Sequence, residues 1–364
     1  MSRRRPPCSI VRAWLLLALV GLGCSAWRAT LPPDLLRREL AERVQPLPAE
    51  GIVIPHEVDA VDIDRAREIL GGHATTSERT QVLFDAIFAE WAFGVRYVPI
   101  VTLPAREALA RREGNCLTIA AVFVGLARGV GLDAYYIDAS KRLAEVDTEE
   151  EVIVNMGHIT AAVDTDRGTL AMDFGWDLPR GNHYRRLDDD EAVAHFYNNR
   201  GYERLDDAMR GDTPLDWSAA ARDFTTAVQV RPDFARGWNN LGIAHARQGE
   251  LAVARHDYDR AIELDRRFVA PRMNIGVLAL RSGRFDEALT AFDAAAQIEP
   301  KNASAQFHRG VALLRMDRRA EAIGALTRAV ALEPGFTRAQ HLLERAQSEV
   351  GTDGAAPSDG ARAR

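Results

Sequence analysis

Lysine is nearly absent from this chain. Among 46 Lys+Arg in 364 residues, only Lys141 and Lys301 are lysines. Arginine carries the rest of the positive charge, and 52 Asp+Glu leave the chain at −6. That sign excludes the basic face a nucleic-acid partner needs, so none is expected. Cysteine is scarce too, at Cys8, Cys24 and Cys116, which excludes a disulfide scaffold. There is no cysteine pair and no histidine pair at i, i+4, so no metal centre is expected. A phosphate-binding glycine loop and a dinucleotide fingerprint are also missing, and no cofactor is expected. Long apolar runs are lacking, which excludes a multi-span membrane protein. What is left, at 47% hydrophobic residues, is an ordinary globular composition with length for about two domains.

Residues 1–24 read as an export signal. Arg3, Arg4, Arg5 and Arg12 supply positive charge ahead of the apolar run Ala13 to Gly23. As a helix that run spans about 16 Å, short of a hydrocarbon core of about 30 Å. It ends in Val20-Gly21-Leu22-Gly23-Cys24-Ser25, which resembles a bacterial lipoprotein signal, with Gly21 where the pattern usually has leucine. The resemblance implies cleavage before Cys24, lipid on Cys24, and a place in the bacterial cell envelope facing the periplasm or exterior. The membrane is then a partner through the lipid anchor. Ser25 rather than aspartate after the cysteine favours an outer membrane where the host has two. An ordinary secretory signal cut near Ala26 is the alternative. Once Cys8 is removed and Cys24 lipidated, Cys116 is the one remaining thiol. Residues 25–60 read as a tether with one short helix, Asp34 to Val44, followed by Pro46, Pro48 and Pro55.

The C-terminal half repeats with a 34-residue period. Trp238, Leu241, Gly242, Ala254, Tyr258 and Ala261 form one unit. Ile275, Gly276, Ala288, Phe292, Ala295 and Pro300 form the next, and Gly310, Ala322, Leu326, Ala329 and Pro334 a third. Small residues recur where two helices approach closely, and a large residue fills the space between them. An irregular earlier unit carries Tyr197, Gly201, Ala220, Phe224, Ala227 and Pro232. The spacing resembles the tetratricopeptide (TPR) repeat, which implies a solenoid of helix pairs with a concave surface for a protein or peptide. Residues 191–350 are assigned to it, with a capping helix from about Phe336 to Ser348. Residues 351–364 read as a disordered tail. A purely supporting role for these helices stays open.

Residues 61–190 carry the chemistry. Helical patterns cover Ile63 to Leu70, Arg79 to Trp91, Ala105 to Arg112 and Leu117 to Val130. Strand patterns follow at Ala134 to Asp138, Val152 to Asn155, His158 to Asp164 and Thr169 to Phe174. Helices first and antiparallel strands after make an α+β domain. Cys116 opens a helix behind Gly114. The helix end favours thiolate, and Gly114 would let a substrate approach. His158 opens one strand and Asp173 ends the next, so the two can lie side by side. A cysteine nucleophile, a histidine base and an orienting acid are what acyl transfer requires. Taken singly, each has a plain reading: a buried thiol, a satisfied strand histidine, a turn aspartate with Asp177 as competitor. His183 lies in a polar loop. Asp147 to Glu151 reads as a solvated loop, and Asp188 to Glu191 as negative charge suited to a helix start.

Arg112-Glu113-Gly114-Asn115-Cys116, Leu126-Ala127-Arg128, Gly157-His158 and Leu170-Ala171-Met172-Asp173 together resemble the transglutaminase-like superfamily, over roughly residues 75–185. The resemblance implies a papain-like fold, with Cys116 as nucleophile, His158 as general base and acid, and Asp173 as orienter. Thr160 stands where that family often has tryptophan. Tyr97 and Asn115 are both open as a second oxyanion donor beside the Cys116 N–H. The fold class is thus an α+β papain/transglutaminase-like domain followed by an all-α TPR solenoid. The expected function is an envelope-anchored cysteine enzyme, peptidase, amidase or acyltransferase, whose repeats bind a protein partner or substrate. The rival expectation is a catalytically silent scaffold for envelope protein–protein interaction.

Overall fold

The computed structural model describes residues 30–139, 144–147, 153–156, 158–172, 184–209 and 216–353. The expected signal, Cys24, Asp173, Asp177, His183 and the tail after residue 353 lie outside the described residues. No helix among the described residues is long and apolar enough to cross a membrane.

The chain opens with helices α1 (Pro33–Ala41), α2 (Ala60–Leu70) and α3 (Thr76–Phe88), then the short strand β1 (Arg96–Tyr97). Next come α4 (Ala105–Arg111), β2 (Glu113–Gly114) and α5 (Cys116–Gly129). Strands β3 (Ala134–Asp138), β4 (Ala144–Asp147), β5 (Ile153–Met156), β6 (Ile159–Thr165), β7 (Gly168–Ala171) and β8 (Arg185–Leu187) follow. Helix α3 starts on a capping box: Thr75 Oγ1 accepts from Glu78 N, and Glu78 reaches back to Thr75 N.

Helix α5 is the centre of this half. Every side chain from Leu117 to Ala127 is buried, so it is apolar all round rather than along one stripe. It packs on α2, α3 and α4 on one side and on β3 and β6 on the other. Gly125 is required there, since a Cβ would meet the His56 carbonyl oxygen at 2.3 Å. Among the described residues the main sheet runs β7-β6-β3-β8, antiparallel throughout. The hairpin β4–β5 leaves that sheet between β3 and β6, and β5 lies along the repeat array.

The array starts with α6 (Asp189–Met209) and α7 (Trp217–Val230). Three regular pairs follow: α8 (Ala235–Arg247) with α9 (Leu251–Leu264), α10 (Ala270–Arg281) with α11 (Phe285–Ile298), and α12 (Ala303–Arg315) with α13 (Arg319–Leu332). Helix α14 (Thr337–Asp353) closes the row, where a capping helix was expected. The recurring glycines have one cause. A Cβ on Gly201, Gly242, Gly276 or Gly310 would meet Phe224, Tyr258, Phe292 or Leu326, respectively, at 2.4–2.7 Å.

Two expectations change. The stretch read as a tether is core: Leu36, Leu40, Val44, Ile52 and Ile54 are buried in the same cluster as α5. That cluster also takes in Val193, Phe196, Tyr197, Val230 and Phe234, so packing is continuous past residue 190. The acidic run at Asp188–Glu191 does open a helix, but it also receives arginines. Arg128 of α5 makes two hydrogen bonds of 2.9 Å to Asp189. Arg231 reaches Asp190 at 3.2 Å, and Arg185 reaches Glu191 at 2.9 Å.

Candidate active site

Cys116 is placed by its upstream neighbours. Arg112 ends α4 in the left-handed conformation, with φ 56°, and turns the chain into β2. There β1 pairs in parallel with β2, Tyr97 opposite Gly114. Asn115 N donates to the Val101 carbonyl at 2.8 Å. The Asn115 side chain caps α5: Oδ1 accepts from Thr118 N at 3.0 Å, and Nδ2 donates to Thr102 Oγ1 at 2.7 Å. Asn115 is buried in that cap. Tyr97 is exposed at the register position of Gly114, two residues before the cysteine.

Gly114 has a different reason from the one expected. A Cβ there would meet Thr118 Cγ2 at 2.2 Å, so the glycine makes room for a buried threonine. Thr118 Oγ1 in turn accepts from Leu103 N at 2.8 Å and closes the loop that leads into α4.

The sheet comes to the cysteine from the other side. Cys116 is half-buried, and the backbone N–H of Ile159, at the start of β6, is near enough to its sulfur to favour the thiolate. The N–H groups of Leu117 and Cys116, at the first turn of α5, act on the sulfur in the same sense. The candidate base, His158, is the residue immediately before Ile159. Its carbonyl accepts from Ala139 N at 2.9 Å, and its Nε2 is shielded from solvent.

The expected thiolate preference is reversed. Burial pushes the Cys116 thiol above its ordinary range, and the three N–H groups offset this only in part. Desolvation disfavours the charged form more strongly than the helix end favours it.

Asp173 lies outside the described residues, but the strand leading to it does not. Met172 N donates to the Ala161 carbonyl at 2.8 Å. Thr160 is fully buried, and its Oγ1 donates to the Met172 carbonyl at 2.6 Å. The threonine thus ties β6 to the end of β7, one residue short of Asp173.

Two fixtures of this region escape a motif reading. Thr102 N donates to the Glu203 carboxylate of α6 at 2.9 Å, linking the α5 cap to the first array helix. Arg128 binds Asp189, donates to the Ala134 carbonyl at 2.8 Å, and lies 3.3 Å from His56 Nε2. An arginine on an otherwise apolar helix was the available signal. Among the repeat histidines, His245 Nδ1 pairs with the buried Asp257 at 2.6 Å, which raises its pKa. Among the described residues, no group of three His, Cys, Asp or Glu side chains is placed to hold a metal.

Comparison with known proteins agrees with this division. Residues 63–176 match the transglutaminase-like superfamily, and residues 215–267 and 273–335 match the tetratricopeptide repeat. The chain therefore joins a transglutaminase-like domain of mixed helices and strands to an all-helical TPR array. No curated protein matches it. Solved structures similar to it are repeat proteins. MamA from Desulfovibrio magneticus RS-1 is 20% identical, covering 43% of this chain and 85% of its own, with TM-score 0.37. YrrB, described as a TPR protein with an unusual peptide-binding site, is 21% identical over 43% of this chain and 80% of its own, TM-score 0.36. The first TPR of Spaghetti (RPAP3), bound to an HSP90 peptide, is 20% identical over 32% of this chain and 93% of its own, TM-score 0.31.

Proposed function

We propose that this chain is a cysteine enzyme of amide or peptide bonds, with Cys116 as nucleophile, His158 as base and acid, and Asp173 as orienter. One observation carries the reading. The sulfur at the start of α5 lies close enough to the backbone N–H of Ile159, the residue after the histidine, for that group to favour its charged form. With burial holding the sulfur as a neutral thiol, attack is coupled to proton transfer. The thiol proton passes to the His158 imidazole as the S–C bond forms. The imidazolium then gives its proton to the leaving nitrogen as the C–N bond breaks. Water or an amine attacks the thioester, loses its proton to the imidazole, and sulfur leaves and is reprotonated. Backbone N–H groups at the α5 end would receive the oxyanion. The repeats would bind a protein or peptide partner, and lipid on Cys24 would hold the chain at the bacterial envelope.

The test is iodoacetamide alkylation of Cys116 against pH, in the full chain carrying Cys8→Ser and Cys24→Ser. A reactive limb below the ordinary thiol range of about 8.5 that disappears in His158→Ala supports the enzyme. Amine incorporation into a glutamine-bearing protein, or peptide cleavage, then separates transfer from hydrolysis. The raised thiol favours a second reading, a silent scaffold, which expects slow alkylation indifferent to His158. The anchor is tested separately, by fatty-acid labelling that Cys24→Ser abolishes.

A further inference from the structure

A cavity of about 290 Å³ lies at the seam, between the start of α4 and the middle of α6. Leu103, Pro104 and Phe196 give it an apolar lining, and Glu107, Arg200, Glu203 and Arg204 bring charge of both signs to its walls. Cys116 and His158 are not among its lining side chains. The cavity is also separate from the surface formed by the stacked repeats. Asn198 of α6 turns towards the array, where it accepts from Asn240 of α8 at 2.9 Å. Phe196 and Arg200 stand two residues either side of Asn198, so they leave the helix on its opposite side.

Which of these charges are already engaged decides what the cavity can take. Arg200 gives both Nε and Nη2 to the buried Asp223. Arg204 gives only Nε, to Asp223 Oδ2 at 2.7 Å. That bond fixes the guanidinium plane and leaves Nη1 and Nη2 of Arg204 without a partner among the described residues. Two parallel N–H groups of this kind grip a carboxylate through both its oxygens. Across the cavity, on α4, Glu107 uses Oε1 to meet Arg111 at 3.3 Å, and its Oε2 is not engaged among the described residues. Glu203 Oε2 accepts from Thr102 N at 2.9 Å and adds a second carboxylate. A simple anion would meet these two carboxylates, and a simple cation the arginines. A small molecule carrying both charges satisfies both walls.

We propose that this cavity binds a small zwitterion with an apolar side chain, a free α-amino acid or a dipeptide. Its carboxylate sits on Arg204, its ammonium between Glu107 and Glu203, and its side chain against Leu103, Pro104 and Phe196. The volume is at the lower end of small-molecule pockets, roughly 300–1,000 Å³, which suits a molecule of that size rather than a longer peptide. The same wall holds the cap of α5. Thr102 Oγ1 accepts from the Asn115 amide at 2.7 Å, and Leu103 N donates to Thr118 Oγ1 at 2.8 Å. A bound molecule therefore steadies the segment from which α5 and Cys116 start. The site itself does not rest on the proposed cysteine chemistry.

The experiment titrates the full chain, carrying Cys8→Ser and Cys24→Ser, with L-leucine and with leucyl-leucine by calorimetry. Leucinamide, which lacks the carboxylate, and isocaproate, which lacks the amine, run beside them. At least one of the two zwitterions is expected to bind at least tenfold tighter than either analogue, and which one it is tells an amino-acid site from a dipeptide site. No binding of either zwitterion, or an analogue that binds as well, overturns the proposal. Arg204→Gln and Glu107→Gln are each expected to weaken binding at least tenfold. Both side chains are about half-exposed, so the melting temperature is expected to hold. Should Arg204→Gln lower it, Glu107→Gln decides alone. Affinity that Glu107→Gln leaves unchanged overturns the placement in this cavity. Hydrogen–deuterium exchange over the loop 98–104, between β1 and α4, is expected to slow at least threefold at saturation. Unchanged exchange there overturns the link to the α5 cap.

Discussion

The backbone N–H of Ile159 acts on the sulfur of Cys116, so the first residue of strand β6 stands next to the first residue of helix α5. The groups that favour the thiolate here are main-chain N–H groups. This placement also puts the sulfur beside the peptide that follows His158. Even with three N–H groups on the sulfur, burial dominates and the thiol is raised. In His158→Ala, alkylation by iodoacetamide should therefore rise with a midpoint above the ordinary thiol value of about 8.5. A midpoint at or below that value would mean the helix end outweighs desolvation.

Thr118→Val keeps the shape under Gly114 and deletes the hydroxyl. Leu103 N, which donates to it at 2.8 Å, is then left buried without that acceptor. The expected loss is about 1–3 kcal/mol of stability. Urea denaturation checks this, and an unchanged midpoint would show that the loop finds another acceptor.

Arg128 and Asp189 meet through two bonds in a largely buried site. Removing one partner leaves the other charge uncompensated, so Arg128→Met should cost about 3–5 kcal/mol. Arg128→Met/Asp189→Leu should recover much of that loss. Thermal unfolding of the three variants separates the two cases; a double variant no better than the single would contradict the ion-pair account.

Two glycine-to-alanine changes should move stability in opposite directions. At Gly276 the new Cβ meets Phe292 at 2.4 Å, and overpacking costs about 1–3 kcal/mol. At Gly324, inside α13, nothing lies within 4 Å. There the gain in helix propensity should stabilise by about 0.5–1 kcal/mol. Melting temperatures measured side by side suffice.

Acid should unfold the protein before its carboxylates titrate fully. Burial lowers His56 and His308 to about 4 and His195 to about 3. His56 Nδ1, His195 Nε2 and His308 Nδ1 find no hydrogen-bond partner among the described residues. The unfolded histidines take up protons near 6.5 while the folded ones do not, so stability falls as pH drops from about 6.5 towards about 4. Each such histidine should shift the unfolding equilibrium by about tenfold per pH unit across that window. His308→Phe, stacked against Phe292 like the imidazole it replaces, should flatten the dependence; an unaltered slope would remove His308 from the account.

Much of this architecture is legible in the residues, for physical reasons. The strand Ala134–Asp138 and the apolar helix after Cys116 declare themselves by composition, and the 34-residue period by the glycine–aromatic pairs it serves. Strand β8 does not, because Arg185–Leu187 is short and charged and its place depends on β3. The supposed tether was hidden by its prolines, although Leu36, Leu40 and Val44 keep a helical spacing and are buried. The thiol was misjudged because a helix end is visible in sequence and desolvation is not. Thr160 looked like a departure from a family pattern, and its anchoring of Met172 needed the β6–β7 pairing to be seen. Asp173 lies outside the described residues, so its part remains with the proposal.

The core that runs from Leu36 through α5 to Phe234 has a consequence for inheritance. A gene cut between the two recognisable modules would leave Val193, Phe196 and Tyr197 of α6 without part of their shared cluster and Arg128 without Asp189. The catalytic-looking half can be handed on only with the first helices of the array attached. New repeats can be added or lost beyond the α10–α11 pair with far less disturbance, so lineages of this protein should differ in the number of repeats at the far end and agree at the seam.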